Sequence, residues 1–166
     1  MLDHSDLVTA FEQYNELLYK YVYVRVGEQD IAEELTQDVF LKAWHARSRF
    51  DPRKASLKTW LFAIALNTIR DHLRNPKIHA ELNEETAPVL ESVAQAVEHQ
   101  QLHEQILALM HTLRPIDQEL LTLRYINELS PREIAIIAQQ PYGVIKVRLH
   151  RALTKLRNLC HGNLEF

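Results

Sequence analysis

The chain has 166 residues, enough for one medium-sized domain or two small ones, and its three glycines and six prolines leave little room for long loops or many β-turns. No apolar run approaches the roughly 20 residues that span a bilayer, and no basic-then-apolar segment of the signal-peptide kind opens the chain. The single cysteine, Cys160, cannot form an internal disulfide. We therefore expect an all-α protein of the cytoplasm, without direct membrane insertion.

The net charge of −3 conceals an alternation of acidic and basic blocks. Residues 1–41 carry two basic and nine acidic side chains, and residues 42–75 carry eight and two. Residues 76–140 carry four and ten, and residues 141–166 carry five and one. Basic blocks attract phosphate backbones whatever the total charge. Helical proteins with solvated faces of one sign show the same pattern, so charge alone leaves both interpretations open.

The N-terminal part predicts three helices from apolar residues at helical spacing, over about 5–26, 30–47 and 56–74. Gly27 is expected to end the first helix. Asp30 is the expected N-cap of the second, and Glu33 completes a capping box. Pro52 and Pro76 follow the second and third helices, where proline is typical of a helix end. These residues, 1–76, form the predicted N-terminal domain.

Residues 77–96 are acidic and show no strong periodicity, so we interpret them as a flexible linker to a C-terminal domain, residues 97–166. Four helices are predicted there, over about 97–113, 117–125, 131–138 and 142–160. Ser130 and Glu133 form a capping box around Pro131, at the start of the third. A short capped helix, a turn at residues 139–141 and a longer basic helix are typical of a helix-turn-helix.

The last predicted helix supplies the first set of candidate DNA-binding residues. Ile145, Leu149 and Ala152 fall on one face, which we expect to pack on the core. That rotation turns outward Lys146, Val147, Arg148, His150 and Arg151. Long basic side chains in the first half of such a helix can reach guanine edges or phosphates in a major groove. A solvated helix in an ordinary bundle would show the same pattern.

A second candidate set surrounds the break between the second and third helices and continues along the third. It comprises Arg53, Lys54, Lys58, Asn67, Arg70 and Arg74. Aromatic and basic side chains near a loop suit an unpaired strand, whose splayed base is stacked or held in a pocket. The alternative is that Trp60 and Phe62 belong to the core and the charges are only solvated.

Three segments of the chain match one family pattern in order and spacing. Residues 30–44 read DIAEELTQDVFLKAW, and residues 56–67 read SLKTWLFAIALN. The third segment combines residues 133–135, EIA, with residues 143–152, GVIKVRLHRA. In this order they resemble the polymerase-binding, promoter-melting and −35-recognition segments of the extracytoplasmic-function (ECF) sigma factors of the sigma-70 family. The resemblance covers nearly the whole chain outside the linker.

The resemblance implies two small helical domains that bind core RNA polymerase and direct it to specific promoters. The second helix would dock on the β′ clamp helices, with the β subunit as a further contact, through Glu34, Gln37, Asp38 and Arg47. The set from Arg53 to Arg74 would hold an extruded base of the −10 element, and the set from Lys146 to Arg151 would recognise the −35 element. The family also implies an anti-sigma factor as a partner.

Two other classes of function stay open on the residues. A stand-alone, dimeric helix-turn-helix repressor would carry the same C-terminal pattern and bind palindromic duplex DNA without polymerase. His99 and His103 are four residues apart, with Glu104 beside them, and could supply two ligands of a zinc site. The spacing places no third ligand. The sequence near Cys160 shows no general base together with a residue to orient it, as a catalytic cysteine would require. We therefore expect no metal, no cofactor and no catalytic residue.

Overall fold

The computed structural model describes residues 2–74 and 96–163, with side chains up to residue 74 and over 104–162. Within these ranges the chain forms seven α-helices and no strand, which confirms the all-α prediction. The helices are α1 (His4–Val26), α2 (Gln29–Ala46), α3 (Leu57–Arg74), α4 (Ala96–His111), α5 (Pro115–Leu121), α6 (Pro131–Ala138) and α7 (Tyr142–Asn163). Apart from Ala96, the predicted linker lies outside the described residues, so the domain boundaries at 76 and 97 stay predictions.

Helix α1 is closed at both ends by its own sequence. Asp3 accepts a hydrogen bond from the backbone N–H of Asp6, and the Asp6 carboxylate accepts one from the backbone N–H of Asp3. Gly27 ends the helix with a φ of 79°, a left-handed conformation that favours glycine. The predicted stop at Gly27 is confirmed.

The predicted capping box at the start of α2 is wrong. Glu28 is the N-cap and makes no side-chain capping bond, while Asp30 lies inside the first turn. Glu33 instead accepts a hydrogen bond from Gln29 Nε2 at 3.0 Å. Because Gly27 ends α1 in a left-handed conformation, only Gly27 and Glu28 separate the two helices, and α2 begins before Asp30 can cap it. The Asp30 carboxylate still lies at the positive end of the helix dipole.

Helices α1, α2 and α3 pack on one another around Tyr21 and Phe62, which are fully buried with their rings tilted and 5.5 Å apart. Apolar residues at helical spacing on α2 face this core: Leu35 and Val39 are buried and Ile31 is half-buried. Trp60 is half-buried and packs against Phe50. The apolar residues at helical spacing therefore form the N-terminal core.

In the C-terminal domain, α5 begins at Pro115 and widens into a π-type turn over Thr122–Ile126, where one regular helix was predicted. The capping box at α6 is confirmed, with Ser130 N–H donating to Glu133 at 2.8 Å and Glu133 N–H donating to Ser130 at 3.2 Å. Gln139 ends α6 at a φ of 52°, the left-handed conformation for which glycine is usual. The turn at 139–141 leads into α7 and completes the helix-turn-helix.

The two domains share one continuous core. Buried apolar side chains of α1 and α3 belong to the same cluster as Leu120, Leu123, Leu129, Ile134 and Ile137. Helix α6 packs on α3, and the π-type turn packs on α1. The C-terminal domain therefore covers one side of the N-terminal three-helix unit.

Asp117 links α5 to α7 and should stabilise the C-terminal domain. Its buried carboxylate accepts hydrogen bonds from Arg114 at 3.0 and 3.2 Å and from Lys155 at 3.1 Å. Burial opposes ionisation, but these hydrogen bonds outweigh it and hold the pKa of Asp117 below its ordinary value. Asp117→Asn should lower the free energy of unfolding at pH 7 by about 1–3 kcal/mol.

Because the folded-state pKa is lowered, this stabilisation is complete above the ordinary aspartate pKa of about 3.9 and is lost as pH falls through the folded-state value. Urea unfolding of both proteins between pH 7 and pH 3 should show the difference shrinking with acid. A difference that stays constant over this range would contradict the ionic role of Asp117.

Candidate nucleic-acid and polymerase interfaces

The outer face of α7 is assembled as the sequence predicts. Ile145, Leu149 and Ala152 are buried against the domain core. All five predicted −35-binding side chains are exposed: Lys146, Val147, Arg148, His150 and Arg151. The first half of the helix therefore presents cations and an exposed apolar side chain on one accessible surface, as major-groove binding requires.

Tyr142, the first residue of α7, was missed by the sequence reasoning. Its exposed ring lies between two cations: Arg132 Cζ is 5.8 Å and Lys146 Nζ is 5.7 Å from the ring centroid. Both distances fall within the range of cation–π attraction. Tyr142 therefore orients a cation of α6 and one of α7 on the same surface. Its place directly after Pro141, at the start of a basic helix, was the available clue.

The second candidate set divides into free and engaged side chains. Lys54, Asn67 and Arg74 are exposed, and Arg53 is exposed while paired with Asp51 at 3.0 and 3.1 Å. The exposure of Asn67 excludes a role as a buried structural amide and leaves its donor and its acceptor available. These four side chains are accessible to a ligand from solvent.

Lys58 and Arg70 are engaged by the C-terminal domain. Arg70 binds the carboxylate of Glu119 in a bidentate manner, with Nη2–Oε1 at 2.9 Å and Nε–Oε2 at 3.3 Å. Lys58 Nζ donates to the backbone carbonyl of Asn127 at 3.2 Å. Burial raises the pKa of Glu119 although Arg70 lies against it. Two of the six side chains predicted to bind DNA are therefore engaged by the C-terminal domain.

The helical residues of this set do not share one face of α3. Asn67, Arg70 and Arg74 follow one another at intervals of three and four residues, on the same side of the helix. Lys58 is nine residues before Asn67, which places it about half a turn away around the axis. Asn67 and Arg74 thus form an exposed unit that continues into Arg70, whereas Lys58 belongs with the loop that precedes α3.

The predicted polymerase-binding residues also differ in their environments. Glu34 and Gln37 are exposed and Asp38 is half-buried. Arg47 instead folds back on Trp44: its guanidinium lies 4.2 Å from the ring centroid and donates to the Trp44 carbonyl at 2.8 Å. Arg47 therefore stabilises the end of α2, and its role toward a partner stays a prediction.

Leu41 was missed, although its side chain is 55% exposed. It lies four residues after Gln37 and three after Asp38, on the same face of α2. Leu41 therefore adds apolar area to the face that carries Gln37 and Asp38. The spacing alone could have placed Leu41 there, but its exposure could not be known before the packing of α2.

The described residues offer little support for a metal site, a catalytic cysteine or a membrane-spanning helix. Among them, no group of three or more histidine, cysteine or carboxylate side chains lies close enough to bind a metal. The side chains of His99 and His103 lie outside the described part. Cys160 is a half-buried free thiol. Of the helices described, none has the length and apolar character needed to cross a membrane.

Comparison with known proteins addresses the family directly. The Sigma-70 region 2 model matches residues 10–77, and the Sigma-70 region 4 model matches residues 103–156. The ECF RNA polymerase sigma factor SigW of Bacillus subtilis is 31% identical over 167 aligned positions, which cover 93% of this chain and 89% of SigW. The chain belongs to the ECF RNA polymerase sigma factors.

Other relatives agree with this assignment. The ECF sigma factor BldN of Streptomyces coelicolor is 32% identical over 90% of this sigma factor, which spans only 58% of BldN. RpoE of Cereibacter sphaeroides is 33% identical over 76% of this chain and 70% of RpoE. The two family models fall on the two predicted domains, so α3 lies in region 2 and the helix-turn-helix in region 4.

Solved structures share the fold of this sigma factor. CnrH, solved in complex with the cytosolic domain of CnrY, superposes with a TM-score of 0.74 at 20% identity and covers 97% of this chain and 91% of CnrH. The sigma factor RpoE of Bartonella quintana, solved with the anti-sigma factor NepR, superposes with a TM-score of 0.73 at 23% identity, over 95% of this chain and 98% of RpoE. The placement of both helical domains therefore has counterparts among solved sigma factors.

Proposed function

We propose that this sigma factor binds core RNA polymerase and directs it to promoters to initiate transcription in the cytoplasm. The observation that carries the proposal is the outer face of α7, which completes a helix-turn-helix and presents Lys146, Val147 and Arg151 to solvent. The role is one of binding and positioning, and we assign no catalytic step to the chain.

In the proposed complex, α2 provides the polymerase contact. Gln37, Asp38 and Leu41 combine an amide, a carboxylate and an exposed apolar side chain on one helix face, while Leu35 and Val39 hold the opposite face in the core. A partner helix of the β′ clamp would pack on Leu41 and meet polar groups around it. This arrangement supports Asp38 as a contact more strongly than Arg47, which already binds Trp44.

The −10 element would be held along α3 and the loop before it. Asn67 offers a donor and an acceptor to the edge of an unstacked base, and Arg74 and Lys54 offer positive charge to its phosphates. Unstacking a base costs a few kcal/mol, which a binding protein can offset without a catalytic residue. The −35 element would lie in a major groove against α7.

We also propose an anti-sigma factor as a regulatory partner. The structural relative RpoE of Bartonella quintana was solved with the anti-sigma factor NepR. The exposed face of α2 around Asp38 is a natural target for such a partner, because covering it would block polymerase binding. The second candidate function, a stand-alone dimeric repressor, is not favoured by membership of the sigma factor family.

The proposed function predicts a complex with core polymerase that depends on Asp38. Asp38→Arg should weaken core binding by at least tenfold, since a charge reversal at the centre of an interface leaves a buried cation unpaired. Glu12→Arg makes the same charge change at an exposed position of α1 and should leave binding unchanged. Both variants should unfold at the wild-type temperature.

Fluorescence titration of labelled core enzyme and run-off transcription measure the two consequences. A repressor would bind duplex DNA as a dimer without core enzyme and would not support transcription. Tight core binding by a folded Asp38→Arg variant would remove Asp38 from the interface.

The α7 face predicts two different losses for two neighbouring arginines. Arg151→Ala should remove a base contact, costing about 1–3 kcal/mol and relaxing the preference at one position of the −35 element. Arg148 lies at the edge of the buried stripe, and Arg148→Ala should remove a phosphate contact. This loss should weaken binding to all promoter sequences alike and lower the salt dependence of the affinity by about one unit of slope.

Holoenzyme binding to a set of single-base promoter variants, at several salt concentrations, separates these patterns. The assigned recognition face is wrong if Arg151→Ala binds every variant as tightly as the wild type does.

A further inference from the structure

Arg132 is an exposed cation at the start of α6, outside both sets of DNA-binding candidates that the sequence predicts. The carboxylate next to it in sequence does not pair with it, because Glu133 turns back and accepts a hydrogen bond from the backbone N–H of Ser130 at 2.8 Å. Among the residues that the structure describes, no carboxylate forms an ion pair with Arg132. Its guanidinium donors are therefore open to a ligand from solvent.

A cation in the first turn of a helix is electrostatically unfavourable. The aligned peptide dipoles leave partial positive charge at the N-terminus of α6, and this charge repels the guanidinium of Arg132. Glu133, in the same turn, is the kind of side chain that the dipole favours there. The stability of α6 therefore does not account for an arginine at this position, whereas a negatively charged ligand would offset the repulsion.

Tyr142 holds the guanidinium of Arg132 close to the start of α7. The Arg132 Cζ lies 5.8 Å from the centroid of the Tyr142 ring, and the Lys146 Nζ lies 5.7 Å from the same centroid. The Tyr142 side chain is still 44% exposed, so both cations adjoin a ring that is in contact with solvent. The ring thus joins a cation of the first helix of the helix-turn-helix to the exposed face of the second.

The way in which a helix-turn-helix docks on duplex DNA gives this cation a ligand. When the second helix lies in the major groove, the first helix crosses the phosphate backbone. Here α6 is the first helix and α7 is the second. With Lys146 facing the groove, a guanidinium held on the same ring by α6 would face the adjoining phosphates. Guanidinium groups bind phosphate oxygens through parallel hydrogen bonds.

We propose that Arg132 binds a backbone phosphate beside the −35 element, and that Tyr142 is the residue that positions it. The inference rests on the proposed function, since it takes the −35 element to lie against α7. It adds a contact from α6 to a recognition surface otherwise assigned to α7 alone. A phosphate contact carries no base preference, so Arg132 would raise the affinity for all promoters alike.

Positioning matters because an arginine side chain is long and loses conformational freedom when it binds. Ordering one such side chain at an interface lowers the affinity by about two- to tenfold. The contact with Tyr142 restricts the guanidinium of Arg132 already in the free protein, so part of this loss is avoided on binding. Replacing the ring by an aliphatic side chain removes the restriction and leaves the charge in place. The positioning role is thus separable by experiment from the charge that is positioned.

The test measures the binding of the holoenzyme, in which the full chain is assembled with core polymerase, to a fluorescent DNA duplex. The duplex carries a promoter selected from a random pool with the wild-type holoenzyme, and anisotropy is recorded at several salt concentrations. Arg132→Gln removes the proposed phosphate contact. Arg157→Gln is the matched control, because it removes an equal charge from an exposed position of α7 that lies about 22 Å beyond Tyr142 along the helix axis.

Tyr142 is tested by two replacements and a double variant. Tyr142→Leu keeps an apolar side chain and removes the aromatic face, whereas Tyr142→Phe keeps the face and removes only the hydroxyl. The combination of Arg132→Gln with Tyr142→Leu completes a double-mutant cycle, which separates the positioning of Arg132 from a direct contact of the ring with DNA. Because Arg132, Tyr142 and Arg157 are all exposed, every variant should unfold close to the wild-type temperature.

The proposal expects Arg132→Gln to weaken binding about tenfold at low salt and to lower the salt slope by about one, while Arg157→Gln changes neither. Tyr142→Leu should weaken binding by about two- to tenfold, and Tyr142→Phe should bind like the wild type. Since both losses pass through the same contact, the double variant should lose less than the product of the two single losses.

Three results would count against the proposal. Equal affinity and equal salt slope for Arg132→Gln and Arg157→Gln would overturn the phosphate contact. Fully multiplicative losses in the double variant, or a loss for Tyr142→Phe as large as that for Tyr142→Leu, would overturn the positioning role. Failure of the proposed function is seen separately, because the wild-type holoenzyme would then select no promoter beyond the DNA that core polymerase binds alone.

Discussion

The contact between the basic helix α3 and the acidic first part of the C-terminal domain, residues 97–140, is the interaction on which the described arrangement depends. It joins two opposite charge blocks of the sequence: residues 42–75, with eight basic and two acidic side chains, and residues 76–140, with four and ten. Arg70 and Lys58 come from the first block, and Glu119 and Glu133 come from the second. The alternation of charge along the chain is thus partly satisfied within the chain itself.

This internal pairing and the proposed binding to DNA use the same chemistry. A basic surface that binds phosphate would also attract a carboxylate that the fold brings near it, because both ligands present oxygen acceptors in similar geometry. The apolar seam around Leu120, Leu123 and Ile134 supplies much of the attraction between the domains. The Arg70–Glu119 ion pair fixes how the two domains are positioned against each other.

The surfaces that remain exposed follow from the same packing. Helix α6 covers one side of α3 and leaves Asn67 and Arg74 open, and α7 points its basic face away from its own core. The polar face of α2 takes no part in the contact between the two domains, and Gln37 and Leu41 are exposed to solvent. The packing of the two domains therefore leaves the α2 and α7 surfaces accessible while it covers part of α3.

Local sequence patterns predicted the helices well because their causes are local. The rotation of α7 follows from Ile145, Leu149 and Ala152, and the start of α6 follows from Ser130 and Glu133. The capping box at Asp30 was wrong because the neighbouring turn at Gly27, rather than the cap, determined where α2 begins.

What could not be predicted depends on distant parts of the chain. Arg70 and Glu119 are 49 residues apart in sequence, and no periodicity connects them. Leu41 was missed because exposure depends on which face of α2 packs, and the stacking of Arg47 on Trp44 has no sequence signature. Sequence patterns supplied the DNA-binding candidates and the family resemblance supplied the polymerase-binding ones, but only tertiary packing distinguishes the engaged side chains from the free ones.

The distance between the two domains in solution tests the central claim most directly. Spin labels at Glu12→Cys and Asn158→Cys, two exposed positions, in a Cys160→Ser background would report it by double electron–electron resonance. The shared core of the two domains predicts one narrow distance distribution for the free chain, and the proposed binding of both domains to promoter DNA predicts a longer distance after core polymerase and promoter DNA are added. A broad distribution in the free chain, or a distribution that does not change on binding, would contradict it.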